Sequence, residues 1–485
     1  MRLLAKATVI CICLVQSACS INAPYPATQS AMPLQWYAPL PHNGTLTDLS
    51  QWWNQLGDPL LIQLMSSAQR VNTSLALARS RIEQARLTRI VASAVLRPRL
   101  DALLSATQSS AQPPVIPENT MLQGALQSSW EIDLFGANRA SRDGAQARLE
   151  GAEAGWHEAR VSVAAEVANN YYSLRACEEL LRITRSDALS RTETARLSAL
   201  SAEAGFMAPA TAALAGASAA EGNGRVAQQQ AQCDLDIKAL VALSAMPEPE
   251  LRRQLAETPA RFPTAANISI ANIPAQVLAQ RPDVYSAERE LVAASFEVGG
   301  AQAQRFPRVS LSGSIGTARF TGGGVSTNLS TWSIGPLALS VPLFDGGRSN
   351  ANLQNARVRY DLAVVNYQST VRNAVREVEQ ALVNLQSTGA RGEFVAVAVE
   401  GFRTSLGGTE SLYQNGLASL YELEVARRTR LAAELALVSL QQERMAAWIS
   451  LYRAAGGGWD NSQRQVPPPS SESEPVITTA PFWKK

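Results

Sequence analysis

Val341-Pro342-Leu343-Phe344-Asp345-Gly346-Gly347-Arg348 marks the point where an alternating, strand-like segment passes into a very long helical one. The same transition occurs at Ile132-Asp133-Leu134-Phe135-Gly136-Ala137-Asn138-Arg139, 209 positions earlier (344 − 135), and the same offset joins Pro98 to Pro307. A unit used twice at a fixed period decides the architecture before any single element is assigned.

Around each transition the apolar residues recur with period two. Leu100, Ala102, Leu104 and Ala106 alternate with Asp101, Leu103, Ser105 and Thr107; at the repeat offset, Val309, Leu311, Gly313 and Ile315 alternate with Ser310, Ser312, Ser314 and Gly316. Trp130, Ile132 and Leu134 correspond in the same way to Leu339, Val341 and Leu343. Such strands have one apolar and one largely polar face. Gln112-Pro113-Pro114-Val115-Ile116-Pro117 and Thr321-Gly322-Gly323-Gly324 interrupt a ladder, so each repeat predicts one strand pair, at about 98–135 and 306–344. Four strands of about ten residues are long enough to cross a bilayer but too few to close, and an open edge in lipid leaves backbone groups unpaired at several kcal/mol each. Strands in a membrane therefore require more than one chain: two chains give eight strands and three give twelve, and both numbers close. The other reading is a soluble sandwich. Against it, so few strands sit in so long a chain, and each pair feeds directly into a long helix.

Neither 139–204 nor 348–415 contains a proline. At 1.5 Å per residue each is roughly 100 Å of helix, longer than an ordinary globular domain. Leu353, Ala356, Tyr360, Ala363 and Tyr367, then Val371, Ala374, Val378, Ala381 and Leu385, keep a three-four spacing with one extra residue between the sets, as in a coiled-coil seam with a stutter. Each long helix is expected to turn near Gly205 or Gly416 and a shorter one to return, giving hairpins at about 139–245 and 348–455. Upstream, Trp52 and Trp53 are read as core residues, and Asp58-Pro59 as a helix start. The second repeat enters at Ile273-Pro274, passes Gln280-Arg281-Pro282-Asp283 and reaches Phe306-Pro307. The repeats are placed at 49–254 and 255–459, with a disordered Pro/Ser-rich tail at 460–485.

The chain starts with Arg2, Lys6, an apolar run from Ala7 to Val15 and Gln16-Ser17-Ala18-Cys19, which reads as a secretory signal peptide over 1–18. Cys19 is then a candidate lipidation site heading a lipid-anchored segment, 19–48; Gln16 departs from the aliphatic residue usual in lipoprotein signals, and ordinary cleavage with a free thiol is the alternative. Losing the leader removes one Arg and one Lys, so the formal charge of +2 becomes 0. So neutral a chain carries no electrostatic argument for nucleic acid. No later stretch has the roughly 18–20 continuous apolar residues of a transmembrane helix. With two histidines, His42 and His157, no nucleophile motif and no phosphate loop, neither an enzyme nor a cofactor or metal site is expected. Of five cysteines, Cys11 and Cys13 leave with the leader, and Cys177 and Cys233 remain as a pair. In an antiparallel hairpin turning near residue 205, positions at equal height sum to about 410, as these two do. They are expected to face each other roughly 42 Å from the tip, either as a disulfide permitted by an oxidising compartment or as two small buried thiols.

Trp53…Asp58-Pro59-Leu60, Gln280-Arg281-Pro282-Asp283, Phe306-Pro307, Val341 to Arg348 and Gly456-Gly457-Gly458-Trp459 together resemble the TolC-like outer-membrane efflux proteins, in the lipoprotein branch that includes OprM and NodT. The resemblance spans about 19–460. It implies a mainly α protein with a small β part: a homotrimer forming a 12-stranded outer-membrane β-barrel, continued by a long α-helical tunnel into the periplasm. It also implies a passive conduit for small molecules, docked on a periplasmic adaptor and an inner-membrane pump of the RND type. A tunnel for type I protein secretion shares the fold and is the alternative; a lipid-anchored helical tether would not need two amphipathic strand pairs. Aligning Gly416 with the glycine of the family's tip motif puts Glu422 at an acidic constriction, although Val425 and Ala418 replace an acid and an arginine of the family's closing network. Glu422 as a solvated helix residue is the bland reading. Gly205, Phe206, Gly416 and Leu417, at the two tips, are the candidates for adaptor contact.

Overall fold

The computed structural model describes residues 35–38, 49, 52–109, 119–258, 262, 274–322 and 324–459. The leader, Cys19, the proline-rich loop at 112–117 and the tail from 460 lie outside the described residues. Among the described residues three helices come first: Trp52–Gln55 (α1), Pro59–Val71 (α2) and Thr73–Ala94 (α3). Asp58 caps α2, its carboxylate accepting from the Leu61 amide, while Pro59 occupies a first turn in which no donor is lost. Arg99–Ser109 (β1) and Asn119–Ile132 (β2) lead into Ala137–Glu203 (α4) and Pro209–Ser244 (α5). Glu248–Glu257 (α6) runs across 254–255, so the first unit ends after this helix. Pro274–Leu278 (α7), Pro282–Ala303 (α8), Arg308–Gly322 (β3), Val325–Ser340 (β4), Arg348–Gln414 (α9) and Leu420–Ala454 (α10) complete the second unit.

The four strands form one antiparallel sheet in the order β1-β2-β3-β4, and the helices α3, α4, α8 and α9 pack side by side in the same order. Both α4 and α9 have 67 residues, about 100 Å of continuous helix. The seam from Leu353 to Leu385 is buried except at Tyr367, which is half-buried.

Two expectations are corrected. The strands do not reach Leu134 and Leu343: β2 ends at Ile132 and β4 at Ser340. Pro342 has no N–H to give a ladder, and the two aspartates instead fold the chain back as helix caps. Asp133 accepts from the amides of Asn138 and Arg139, and Asp345 from those of Gly347 and Ser349. Nor is the period constant. It is 209 from α3 to α8 (282 − 73) but 211 between the left-handed N-cap glycines of the long helices (347 − 136) and between the tip glycines (416 − 205). Two residues have been added between strand and helix in the second unit.

The main core lies where the hairpins meet the smaller helices. Trp52 is fully buried against Trp53 and Tyr452, with ring centroids 4.4 and 5.2 Å away, and the Tyr171 hydroxyl donates to Asp58 at 2.6 Å. Arg281 pins the second unit to the last helix. Its guanidinium donates to the Ala454 carbonyl at 2.8 Å, to Asp283 and to Glu377. Beside it, a Cβ on Gly456 would fall 2.0 Å from the Gln280 carbonyl oxygen, so only glycine fits.

Candidate functional site

The sheet register sorts side chains into two faces. One row across the four strands is Ala102, Leu126, Ile315 and Trp332, and another is Leu100, Ser128, Gly313 and Ile334. Trp332 and Ile334 of this face are exposed. The opposite face carries Asp101, Gln127, Ser314 and Ser333 in one row. Among the described residues no helix is long and apolar enough to cross a membrane; the sheet has the apolar face that a lipid-facing wall requires and the polar face that suits a wet lumen. On the polar side the strands approach closely at Gly316, where a Cβ would lie 2.7 Å from the Ala125 Cβ on the neighbouring strand. Among the described residues, edges β1 and β4 have no strand beside them.

At the far end of the helices, Gly205 (φ +80°) and Gly416 (φ +73°) make the two hairpin turns, in a left-handed conformation that a side chain would strain. Each presents the next residue to solvent, Phe206 at 90% and Leu417 at 75% exposure. Glu422 is exposed one turn further on. Its Oε2 accepts from the Ser419 amide at 2.6 Å and from the Ser419 hydroxyl at 2.8 Å, while Ser419 Oγ accepts in return from the Glu422 amide. This capping box closes the start of α10, and the Ser419 donors hold the Glu422 carboxyl below its ordinary pKa. The structure thus gives Glu422 a local role, as the third-position partner of the Ser419 cap.

Cys177 on α4 and Cys233 on α5 are joined by a disulfide, with Cα atoms 5.5 Å apart. His157 sits in the core between Trp156 and Trp459, where burial, and secondarily Arg160, lowers its pKa to about 4.

Between Cys177 and the tips the structure holds a feature the sequence reading missed. Arg191, 2% exposed, donates to Asp187 at 2.7 Å, to Glu424 at 2.7 Å and to Ser218 at 2.6 Å. Arg427 bridges Glu424 and Ser190, and Glu434 accepts from Arg430 and from Arg403. The network joins α4, α5, α9 and α10, so the two hairpins are bound to each other by buried charge. Asp187/Arg191 and Glu424/Arg427 have the three-four spacing of ordinary surface pairs, and nothing in the sequence separates the two situations.

Among the described residues no group of three or more His, Cys, Asp or Glu is placed to hold a metal ion.

The chain matches the outer membrane efflux protein family over residues 64–245 and 273–457. It is 28% identical over 475 residues to outer membrane protein OprJ of Pseudomonas aeruginosa, which covers 94% of this chain and 96% of that protein. It is 26% identical over 465 residues to the solvent efflux pump outer membrane protein SrpC of Pseudomonas putida, covering 93% and 97% of the two chains. The solved structure of the outer-membrane channel OprN superposes with a TM-score of 0.80 at 28% identity, over 90% of this chain and 99% of that one.

Proposed function

The chain belongs to the outer membrane efflux protein family, and from that premise we propose that three copies close into one conduit, a 12-stranded barrel in the outer membrane continued by a helical tunnel in the periplasm. It is an outer-membrane efflux channel, one component of a multi-part pump. The observation that carries assembly is the sheet: among the described residues, four strands with an apolar outer face and two edges without a neighbouring strand cannot stand alone in lipid, and membership of the family favours three copies, giving twelve strands, over two. Energy comes from elsewhere. A periplasmic adaptor and an inner-membrane pump of the RND type are the partners, with Gly205, Phe206, Gly416 and Leu417 at the tips as the adaptor contact, and Cys19 carries the lipid anchor. The cargo is small molecules; the relatives are named for efflux, one of them for efflux of solvents, which speaks against a protein-secretion tunnel.

The mass of the full chain in detergent tests the assembly: a trimer is expected, and a stable monomer removes the barrel. Three copies of Glu422 at the closed end would form an acidic ring. Glu422→Ala should change single-channel conductance or abolish block by multivalent cations, and no change in either takes Glu422 out of the constriction.

A further inference from the structure

Charge is divided unequally between the two faces of the sheet. Arg99, Asp101, Glu131 and Arg308 all fall on the polar face, opposite Ser129, Gln127, Ser310 and Ser340 respectively. Arg319 alone lies on the apolar face, in one row with Ala106, Leu122 and Asn328. It is exposed, and among the described residues no carboxylate pairs with it. Its Nε donates to the Ser326 hydroxyl at 3.2 Å, and that hydroxyl lies 3.4 Å from the Thr321 hydroxyl.

The apolar face also fixes where Arg319 stands relative to a bilayer. On β2 this face runs from Ile132 to Leu122, interrupted by Ser128 and Gly124, and gives way to Thr120. That is about 34 Å of strand, and at a tilt of about 45° it makes a band about 24 Å tall, close to the apolar height of an outer-membrane barrel. The limit of the band away from the helices is slanted across the sheet. It comes after Ala106 on β1 and Leu122 on β2, which share a row, but after Ile315 on β3 and Trp332 on β4, whose row lies four residues nearer the helices. Four residues are about 14 Å of strand, and the strand spacings from β1 to β4 add up to about 14 Å, so the limit runs at about 45° to the rows. A level membrane surface drawn across tilted strands has this slant. Beyond it on β3 come Thr317 and then Arg319. The guanidinium therefore stands just outside the apolar band, at the depth of the lipid headgroups, where an arginine is tolerated as it is not at the middle of a bilayer.

We propose that Arg319 binds the phosphate group of a lipid in the outer leaflet, with Thr321, Ser326 and Asn328 as the polar groups around it. This rests on the outer-membrane reading above and adds a contact between the channel and a lipid headgroup. The leaflet follows from the topology: Arg319 is three residues from the end of β3 that is remote from the helices, and the helices lie on the periplasmic side. A guanidinium presents paired N–H donors that match two oxygens of one phosphate. Ser326 takes Nε, which leaves the Nη groups for the ligand. The surroundings suit an anion, since Thr321, Ser326 and Asn328 can donate hydrogen bonds and, among the described residues, the strands carry no acid on this face. An apolar band closed at its outer end by a charge held on a headgroup also fixes the depth at which the sheet sits.

The test titrates the full-length protein in detergent with dioleoyl phosphatidic acid, whose headgroup is a bare phosphate, and with dioleoylglycerol, the same lipid without it, and counts bound molecules by native mass spectrometry. The wild type should hold phosphatidic acid in preference to dioleoylglycerol. Arg319→Gln should weaken that binding at least about tenfold without changing the mass of the assembly, while Arg308→Gln, on the polar face, should leave it as in the wild type. Binding unchanged in Arg319→Gln, or weakened as much by Arg308→Gln, overturns the site. Displacement of the lipid by an equal concentration of glycerol 3-phosphate would show a site for a free phosphate and overturn the lipid as its ligand. Quenching of Trp332 fluorescence by lipids brominated in their acyl chains, read as the difference between wild type and Trp332→Phe, tests the band itself. Quenching together with unchanged phosphatidic acid binding in Arg319→Gln overturns the site and leaves the membrane reading standing; no quenching overturns both.

Discussion

The two hairpins have nearly the same dimensions, 67 and 36 residues against 67 and 35, and differ in two features that bear on stiffness, a cross-link and the glycines of the long helix. The first is cross-linked by Cys177–Cys233, and α4 has no glycine beyond Gly155. The second has no cross-link, and α9 carries Gly389, Gly392, Gly401, Gly407 and Gly408, none with an atom within 4 Å of a Cβ position. Packing does not demand these glycines, and each weakens the helix by about 1 kcal/mol relative to alanine. On α5, Gly222 is closely packed, since a Cβ there would lie 3.3 Å from the Ala188 Cα, while Gly216 and Gly224 have open space. A duplicated unit has thus kept its shape while the first hairpin is expected to act as a frame and the second as a more compliant arm, the arm tied to the frame by the Arg191–Glu424 network.

Cutting that tie should have the largest effect. Glu424→Ala leaves Arg191 and Arg427 buried without their shared carboxylate, and breaking a buried pair from one side costs about 3–5 kcal/mol. Hydrogen exchange should rise along α9 and α10 below Glu434 and much less along the cross-linked hairpin. Equal loosening of both hairpins would show that the frame is no stiffer than the arm.

Removing the staple comes next. With a sequence separation of 56 between the two cysteines, chain entropy sets the stabilisation at up to about 4 kcal/mol. Cys177→Ser with Cys233→Ser should bring protection of α4 and α5 down to that of the second hairpin. Thiol labelling of the unfolded, unreduced wild type gives the complementary reading: no reactive thiol from either position is expected, and two would rule out the bridge.

Much of this comparison could be read without coordinates, because it rests on periodicity and spacing. The strand pairs, the turns at Gly205 and Gly416 and the common height of Cys177 and Cys233 all follow from counting residues. What could not be read has a shared physical cause. Charged residues at helical spacing have the same pattern whether water or a second helix faces them, so Asp187, Arg191 and Glu424 gave no sign of burial. Glu422 was assigned by resemblance to the tunnel, although Ser419, three residues before it, completes a capping box that local chemistry alone suggests. The two-residue insertion near Asp345 was hidden because the Leu-Phe pair aligns at 209 whatever follows it.

Stiffening the arm gives a smaller effect of opposite sign. Gly407→Ala with Gly408→Ala, at exposed helical sites with open space, should stabilise α9 by about 1 kcal/mol each at most and slow its exchange towards that of α4. If exchange is unchanged, the difference between the hairpins owes nothing to glycine and rests on the disulfide alone.

The smallest effect lies at the tips, where the comparison runs the other way. The first return helix starts at Ala208 with no side-chain cap, whereas the second has Ser419 and Glu422. Ser419→Ala should cost about 1 kcal/mol, as N-cap replacements usually do, felt as fraying of the first turn of α10 only. The Glu422 carboxyl is held below its ordinary value of 4.5 by the Ser419 amide and hydroxyl, which fixes the sign of the pH dependence. A carboxyl with a lowered folded pKa contributes its full stabilisation above the ordinary value and loses it as pH falls through the lowered one. Exchange of the first α10 amides should therefore differ between wild type and Glu422→Gln at neutral pH, once corrected for intrinsic rates. The two should converge as pH drops below 4.5, while the α5 tip shows no such change. Convergence at both tips would trace the effect to general acid loosening; a difference that persists in acid would mean that Glu422 acts through something other than its charge.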